Sequence, residues 1–321
     1  MSFSSVPDRQ IGMADMTYEP LLSAHPADHQ AIRQSFLGYD FDMPLWISSM
    51  TGGTEKARLI NHNLARACGE FNLGMGLGSC RPLLESDERF DDFNVKHLME
   101  DRPLYANLGI AQLEELIDAG SARKIEDVIA RLKADGLVIH VNPLQEWAQP
   151  EGDRYQRPAI ETIATTCEEI SCPVIVKEVG QGMGPQSLKA LLDLKVAAIE
   201  LAAYGGTNFS ILERRRSHGE EGASERSADA FGYVGHTAEQ MIEYLNILSA
   251  AQKSDVEVII SGGVKDPVTG HILKNRLEMN AVIGMASTVL KYAMQDYKVL
   301  RSYLQELRES FAMAQAFIVR N

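Results

Sequence analysis

Along this 321-residue chain, eight short apolar runs recur, and each ends in small or polar residues. In order they are PLWISSM around Leu45, LGMGL from Leu73, PLYANL from Pro103, GLVIHV from Gly136, PVIVKEV from Pro173, AIELAA from Ala198, VEVIIS from Val256 and NAVIGMA from Asn280. Their apolar residues are continuous instead of alternating, so each run predicts a strand buried on both faces, as in parallel sheets. Between them the spacing turns helical. Ile60, Leu64, Ala67, Cys68 and Phe71, then Ile125, Val128, Ile129 and Leu132, then Ile160, Ile163, Cys167 and Ile170 each trace one helix face. Most strand starts lie about 24 to 38 residues apart, the length of a strand, a helix and two loops. Eight such units, with no dinucleotide-type glycine pattern after the first, predict a closed (β/α)8 TIM barrel over a doubly wound open sheet. Leu290, Ala293, Met294, Tyr297, Leu300, Leu304, Leu307 and Phe311 mark closing helices.

One interval breaks the rhythm. From Ala198 to Val256 the chain spends about 58 residues, and 205–235 is rich in charge and glycine. An insertion after the sixth strand lies on the catalytic face of such a barrel, where it reads either as a lid or as a disordered surface loop. The chain is thus expected to be one barrel domain over 1–321, with an N-terminal arm over 1–40. Composition does not disturb that reading: 45% hydrophobic and 23% charged residues are ordinary for a globular protein, and no apolar run reaches membrane-spanning length. The N-terminus lacks a basic start followed by an apolar segment, so a cytoplasmic location is expected. Cys68, Cys80, Cys167 and Cys172 form no CxxC pair, have no histidine at zinc-site spacing and read as reduced thiols. A net charge of −13 argues against nucleic acid and anionic membranes as partners, while leaving a small anionic substrate open to a few local cations.

In barrels the chemistry sits at the C-terminal strand ends. Here those ends are polar. At Gly262-Gly263 and Gly284-Met285-Ala286, small residues let backbone N–H groups approach an anion, which predicts a phosphate site on the seventh and eighth strands. The fourth run leaves in HVNPLQE, where alternation sends His140 and Asn142 to the mouth and the turn after Pro143 brings Gln145 and Glu146 over it. A single carboxylate there suits Mg2+, which keeps several waters and shares substrate phosphate oxygens. Lys177, interior on the fifth run, needs an anionic partner: Glu178, Glu200 or the electron-rich edge of a cofactor ring. Arg81 is the best candidate for bidentate diphosphate contact.

These residues also carry a resemblance. MTGG (50–53), GLGSCR (76–81), ANLGIAQL (106–113), HVNPLQE (140–146), VKEVGQG (176–182), GGTNF (205–209) and SGGV (261–264) resemble, in order, the motifs of the type 2 isopentenyl diphosphate isomerases. The likeness runs from about Arg9 to the C-terminal helices. It implies an FMN- and Mg2+-dependent interconversion of isopentenyl and dimethylallyl diphosphate, with FMN reduced by NADPH and a proton shuttled across the allylic system. It further implies a homotetramer or homo-octamer.

Carried over residue by residue, the resemblance assigns Ser49, Met50, Thr51, Ser79, Asn107, Lys177 and Thr207 to FMN, with Gly262, Gly263, Met285 and Ala286 at its phosphate. Lys177 would stabilise the reduced ring. Arg9, Gln10, Ser79, Cys80, Arg81, His140, Asn142 and Gln145 would hold the substrate. Gln145 would relay a proton, with His140, Asn142 and Lys177 in the same catalytic group, and Glu146 would bind Mg2+. The chain departs from the pattern at Gln10, where the family has lysine, and at Met13, where it has histidine. Cys80 replaces a glutamine, and Asn208-Phe209 replaces Ser-Trp. One lost diphosphate contact costs about 1 to 3 kcal/mol of binding, unless the Arg214–Arg216 run substitutes or the substrate differs. Two other readings stay open on the residues: an FMN-dependent oxidoreductase of the 2-hydroxy acid oxidase type, and a catalytically idle FMN- or prenyl-diphosphate-binding protein.

Overall fold

The computed structural model describes residues 11–13, 15–49, 56–149, 151–218 and 227–321. All eight predicted strands are present: β1 (Leu45–Ile47), β2 (Gly74–Gly76), β3 (Leu104–Gly109), β4 (Gly136–Val141), β5 (Val174–Glu178), β6 (Ala198–Glu200), β7 (Glu257–Ile260) and β8 (Ala281–Met285). Each pairs in parallel with the next in sequence, and β8 returns to β1 with Ile283 beside Leu45, closing the barrel. The continuous apolar runs follow from this closure, because outward side chains meet helices while inward ones meet each other.

Alternation along the strands sorts the inward residues into layers. Trp46, Tyr105, Val138, Ile175, Ala198, Ile259 and Val282 form a lower apolar layer. Below it, the hairpin of strands Gln34–Phe36 and Tyr39–Phe41 inserts Phe36 and Phe41 as a plug. Its two-residue turn, Leu37-Gly38, has φ of 51° and 79°, the left-handed pair that tight hairpins favour. Phe36 meets Trp46 edge-on at 6.0 Å, and Trp46 meets Tyr105 at 5.5 Å. Gly74 makes room for Trp46, since a Cβ there would collide with the indole.

Two residues further along each strand the character switches. Ser48, Gly76, Asn107, His140, Lys177, Glu200, Ser261 and Gly284 occupy these positions, one per strand. An apolar floor therefore carries a polar layer at the C-terminal mouth.

The outer helices follow the predicted faces. Helix Ala57–Phe71 buries Ile60, Leu64, Ala67, Cys68 and Phe71, and helix Arg123–Leu132 buries Ile125, Val128, Ile129 and Leu132. Helix Ala159–Glu169 differs: Ile163 is buried, but Thr162 and Thr166 share its inner face, and Ile160 and Cys167 are half-buried. Thr166 offsets the polarity by donating its hydroxyl to the Thr162 carbonyl at 2.7 Å. The chain closes with helices Ser287–Ala293 and Tyr297–Phe317. Met294 lies between them and is 45% exposed, because the first helix ends there and its side chain leaves the core. The final strand Ile318–Arg320 pairs with Met16–Tyr18 and ties the arm to the C-terminus.

The long interval after β6 contains helix Phe209–His218 and the 3-10 helix Ser227–Tyr233. The first packs against helix Pro143–Ala148, and Phe231 meets Trp147 edge-on at 5.3 Å. The described part of the insertion is therefore structured and lies beside the residues that leave β4. Among the described residues, no helix is long and apolar enough to cross a membrane.

Candidate active site at the barrel mouth

A cavity of about 370 Å³ opens at the C-terminal ends of the strands, within the usual range of ligand pockets. It brings together Ser49, Lys177, Thr207, Gly262, Gly263, Met285 and Ala286, seven of the predicted cofactor residues. Ser48, Glu200, Phe209 and Ser261 also line it. Met50 and Thr51 lie outside the described residues, as do Arg9 and Gln10.

The β7 end is built for close approach. Gly262 and Gly263 have φ of 85° and 74°, which glycine alone adopts readily, and a Cβ on Gly262 would collide with the Ala203 backbone. The strand ends of β6 and β7 consequently approach through backbone, and both glycines line the cavity.

Buried polar atoms without a protein partner mark where the donors and acceptors of a ligand would fit. Among the described residues these include Ser48 Oγ, Ser49 Oγ and Glu200 Oε2, all on cavity-lining residues. A cofactor with ring and hydroxyl polar groups, plus a phosphate for the glycine cradle, fits this donor and acceptor set.

Lys177 is 7% exposed, and its Nζ donates to the Glu178 carbonyl oxygen at 2.7 Å. Neither predicted carboxylate pairs with it. Glu178 instead accepts from the backbone N–H groups of Gly180 at 2.6 Å, Gln181 at 2.6 Å and Gly182 at 2.9 Å. Glu200 takes a hydroxyl hydrogen bond from Ser261 at 3.1 Å. The ammonium thus remains available to the cavity.

Asn107 and His140 form a pair on adjacent strands. Nδ1 of His140 lies 2.8 Å from Asn107 Oδ1, while Asn107 Nδ2 donates to the Leu77 carbonyl at 2.9 Å. With Oδ1 the acceptor, Nδ1 carries the proton. Burial, helped by the nearby Lys177 charge, lowers the His140 pKa from 6.5 to about 4. His140 is therefore neutral at physiological pH, and Nε2 is an acceptor.

After β4 the predicted heptapeptide folds into one network. Asn142 Nδ2 donates to Gln145 Oε1 at 3.1 Å and Glu146 Oε1 at 2.8 Å, and Tyr155 donates its hydroxyl to Asn142 Oδ1 at 2.9 Å. Glu146 Oε2 accepts from the Asp153 N–H at 2.9 Å. Asp153 in turn holds Arg81 Nη1 at 3.0 Å and Gln112 Nε2 at 2.8 Å. Among the described residues no group of three or more His, Cys, Asp and Glu could hold a metal by itself. A lone Glu146 fits Mg2+ in the one-carboxylate manner, with water and phosphate oxygens completing the shell.

Two of the expected substrate residues lie on the turn after β2. Cys80 is fully buried, with Sγ 3.5 Å from the Gly78 carbonyl, and burial pushes its thiol up to about 12. Its backbone N–H donates to the Asn107 carbonyl at 2.7 Å, which ties this turn to β3. Ser79 sits on the same turn and takes the Arg81 N–H at 3.4 Å, outside the cavity lining. Arg214 to Arg216 lie on helix Phe209–His218, but their side chains fall outside the described residues. Asn208, the family departure, ties the insertion together locally. Its Oδ1 accepts from Ile211 N at 3.1 Å, and its Nδ2 donates to the Gly232 carbonyl at 3.2 Å.

Gln112, Asp153 and Tyr155 were not anticipated as site residues, and Glu200 only as a possible partner for Lys177. For Asp153 the signal in sequence was the acidic turn following HVNPLQE. The others meet through contacts that no local spacing reveals.

Fold and site together define a (β/α)8 enzyme with its polar machinery on the C-terminal strand ends. Among solved structures, a flavocytochrome b2 variant with sulfite bound matches with a TM-score of 0.64 and 15% identity, covering 94% of this chain and 72% of that one. A mandelate oxidase variant with a monooxide FMN adduct matches with a TM-score of 0.58 and 13% identity over 95% and 84%. At such identities the likeness is one of fold. No family model matches the chain. Curated relatives are nearer: an isopentenyl-diphosphate delta-isomerase of Synechococcus sp. is 38% identical over 85% of this chain and 75% of its own. Another from Rickettsia prowazekii is 36% identical over 81% and 72%. The chain belongs to the isopentenyl-diphosphate delta-isomerase family.

Proposed function

We propose that this chain is a type 2 isomerase, interconverting isopentenyl and dimethylallyl diphosphate with bound reduced FMN and Mg2+. The observation that carries the reading is the adjacency of two unlike subsites. One is a cavity with a glycine cradle, a buried lysine and unsatisfied hydroxyls. The other, on the neighbouring strand end, is the Asn142–Gln145–Glu146 network beside Arg81. The first suits a flavin phosphate and ring, and the second suits a metal-bound diphosphate.

When bound and reduced, the flavin supplies proton transfer to and from the allylic carbons. The chain's own residues do the rest. Gly262, Gly263, Met285 and Ala286 receive the cofactor phosphate, and Ser49, Met50, Thr51, Ser79, Asn107 and Thr207 orient the ring and chain. Lys177 places its charge against the anionic ring. Glu146 holds Mg2+, and Arg81 leaves Asp153 for the diphosphate. Gln145 relays a proton at its amide, while neutral His140 accepts a hydrogen bond at Nε2 without adding a cation beside developing positive charge. The described part of the insertion, through Phe231 against Trp147 of helix Pro143–Ala148, would keep water from the positive charge that develops at the tertiary carbon.

NADPH is the proposed reductant, and a homotetramer or homo-octamer the proposed assembly. The oxidase reading fits less well, since a histidine titrating near pH 4 is a weak base at neutrality. Anaerobic incubation of NADPH-reduced protein with Mg2+ and isopentenyl diphosphate tests all three readings. Dimethylallyl diphosphate is the expected product. None formed at full flavin occupancy would leave an idle binder, and substrate-coupled flavin reduction by a 2-hydroxy acid would favour the oxidase.

A further inference from the structure

Glu200 is the one carboxylate of the polar layer whose presence neither the proposed chemistry nor the packing explains. It sits at the end of β6 and is fully buried; Ser261 occupies Oε1, while Oε2 has no partner among the described residues. A buried carboxylate with an idle oxygen is costly unless a donor completes it. Lys177 is its cross-strand neighbour on β5, but the lysine donates to the Glu178 carbonyl and no hydrogen bond or ion pair joins it to Glu200 among the described residues, so Oε2 stays open to the cavity.

Strand order supplies the missing half. β5, β6 and β7 are consecutive around the barrel, with Ile175 beside Ala198 and Glu257 beside Ala198. Lys177 on β5 marks the ring end of the cavity, and Gly262-Gly263 after β7 marks its phosphate end. In FMN these ends are joined by a ribityl chain, whose hydroxyls are donors. A chain running from β5 to β7 must cross β6. Its interior-facing residue there is Glu200.

We propose that Glu200 Oε2 accepts a hydrogen bond from a ribityl hydroxyl, making β6 the polyol subsite of the cofactor cavity. The inference rests on FMN being the cofactor. It adds a specificity element: the carboxylate distinguishes a hydroxylated linker from a plain alkyl one.

The test compares FMN with a flavin bearing a 5-phosphopentyl chain, which keeps ring and phosphate but lacks the hydroxyls. Dissociation constants are read from quenching of flavin fluorescence on the wild-type protein, Glu200→Gln and Glu200→Ala. A charged hydrogen bond predicts that wild type prefers FMN by about ten- to a hundredfold. Glu200→Ala loses about that factor for FMN and nothing for the analogue, and Glu200→Gln, nearly isosteric, keeps part of the preference. Equal loss for both ligands would overturn the proposal, as would a wild type that does not discriminate between them. The wild-type comparison stands even if a variant fails to fold. A wild type that binds neither flavin would instead remove FMN as the cofactor.

Discussion

A histidine at an enzyme mouth invites assignment as an acid near neutral pH, yet His140 is held neutral by its own site. Burial and Lys177 depress its pKa to about 4, whereas the unfolded chain titrates near 6.5. As pH falls through this window the unfolded state takes up a proton that the folded state refuses, so stability is lost on acidification. The loss is on the order of 2 kcal/mol once partial exposure is allowed for. Urea midpoints from pH 7 to pH 4 should therefore fall more steeply for the wild type than for His140→Asn. Parallel curves would return His140 to an ordinary pKa. Gln145 gives the complementary prediction. Its side chain touches Asn142 but is not in the lining of the cofactor cavity. Gln145→Ala is expected to abolish turnover with the flavin absorption spectrum intact; loss of the bound flavin would mean that Gln145 belongs to the cofactor subsite instead.

Glycines with positive φ answer two kinds of demand, one conformational and one steric, and these can be separated between a strand end and a helix–helix turn. Gly262 and Gly120 both have positive φ, 85° and 61°, but a Cβ on Gly262 collides with Ala203 while one on Gly120 meets nothing within 4 Å. Gly120→Ala should cost only the left-handed penalty, about 1 to 2 kcal/mol. Gly262→Ala adds the collision between β6 and β7, for a total of about 3 kcal/mol or more, and should also weaken flavin binding. Chemical denaturation of the two variants checks this, and equal losses would mean that the strand ends can part freely. The same elements explain what was legible in sequence. Strands buried on both faces wrote themselves as unbroken apolar runs, and the helix faces followed their spacing. The heptapeptide after β4 was legible because its members are neighbours in the chain. The aromatic plug was not, since Phe36 and Phe41 come from strands of three residues each. Nor was the carboxylate bridge from Asp153 to Arg81 and Gln112, whose partners stand 72 and 41 residues away.

At the scale of the molecule, a protein of net charge −13 is proposed to bind two anions at one mouth. Near the mouth Arg81, Arg154, Lys177 and Lys265 stand among Glu146, Asp153 and Glu200, so the described local charge nearly balances and the net charge of the chain sets the distant field. Long-range steering must then oppose arrival of the diphosphate, and only short-range contacts favour it. Salt separates these effects. The screening length shrinks from about 30 Å at 0.01 M to about 8 Å at 0.15 M, which removes the distant repulsion while sparing contacts of a few ångströms. The association rate of isopentenyl diphosphate with the reduced holoenzyme, read by stopped flow, should therefore rise over this range. Mg2+ sharpens the prediction, because a diphosphate arriving with its metal carries less negative charge and meets Glu146 as a ligand rather than as a repelling neighbour. Saturating Mg2+ should raise the rate at low salt and flatten its salt dependence. A rate that falls with salt would mean that cations beyond the described residues, in the arm or in the insertion, dominate the field at the mouth.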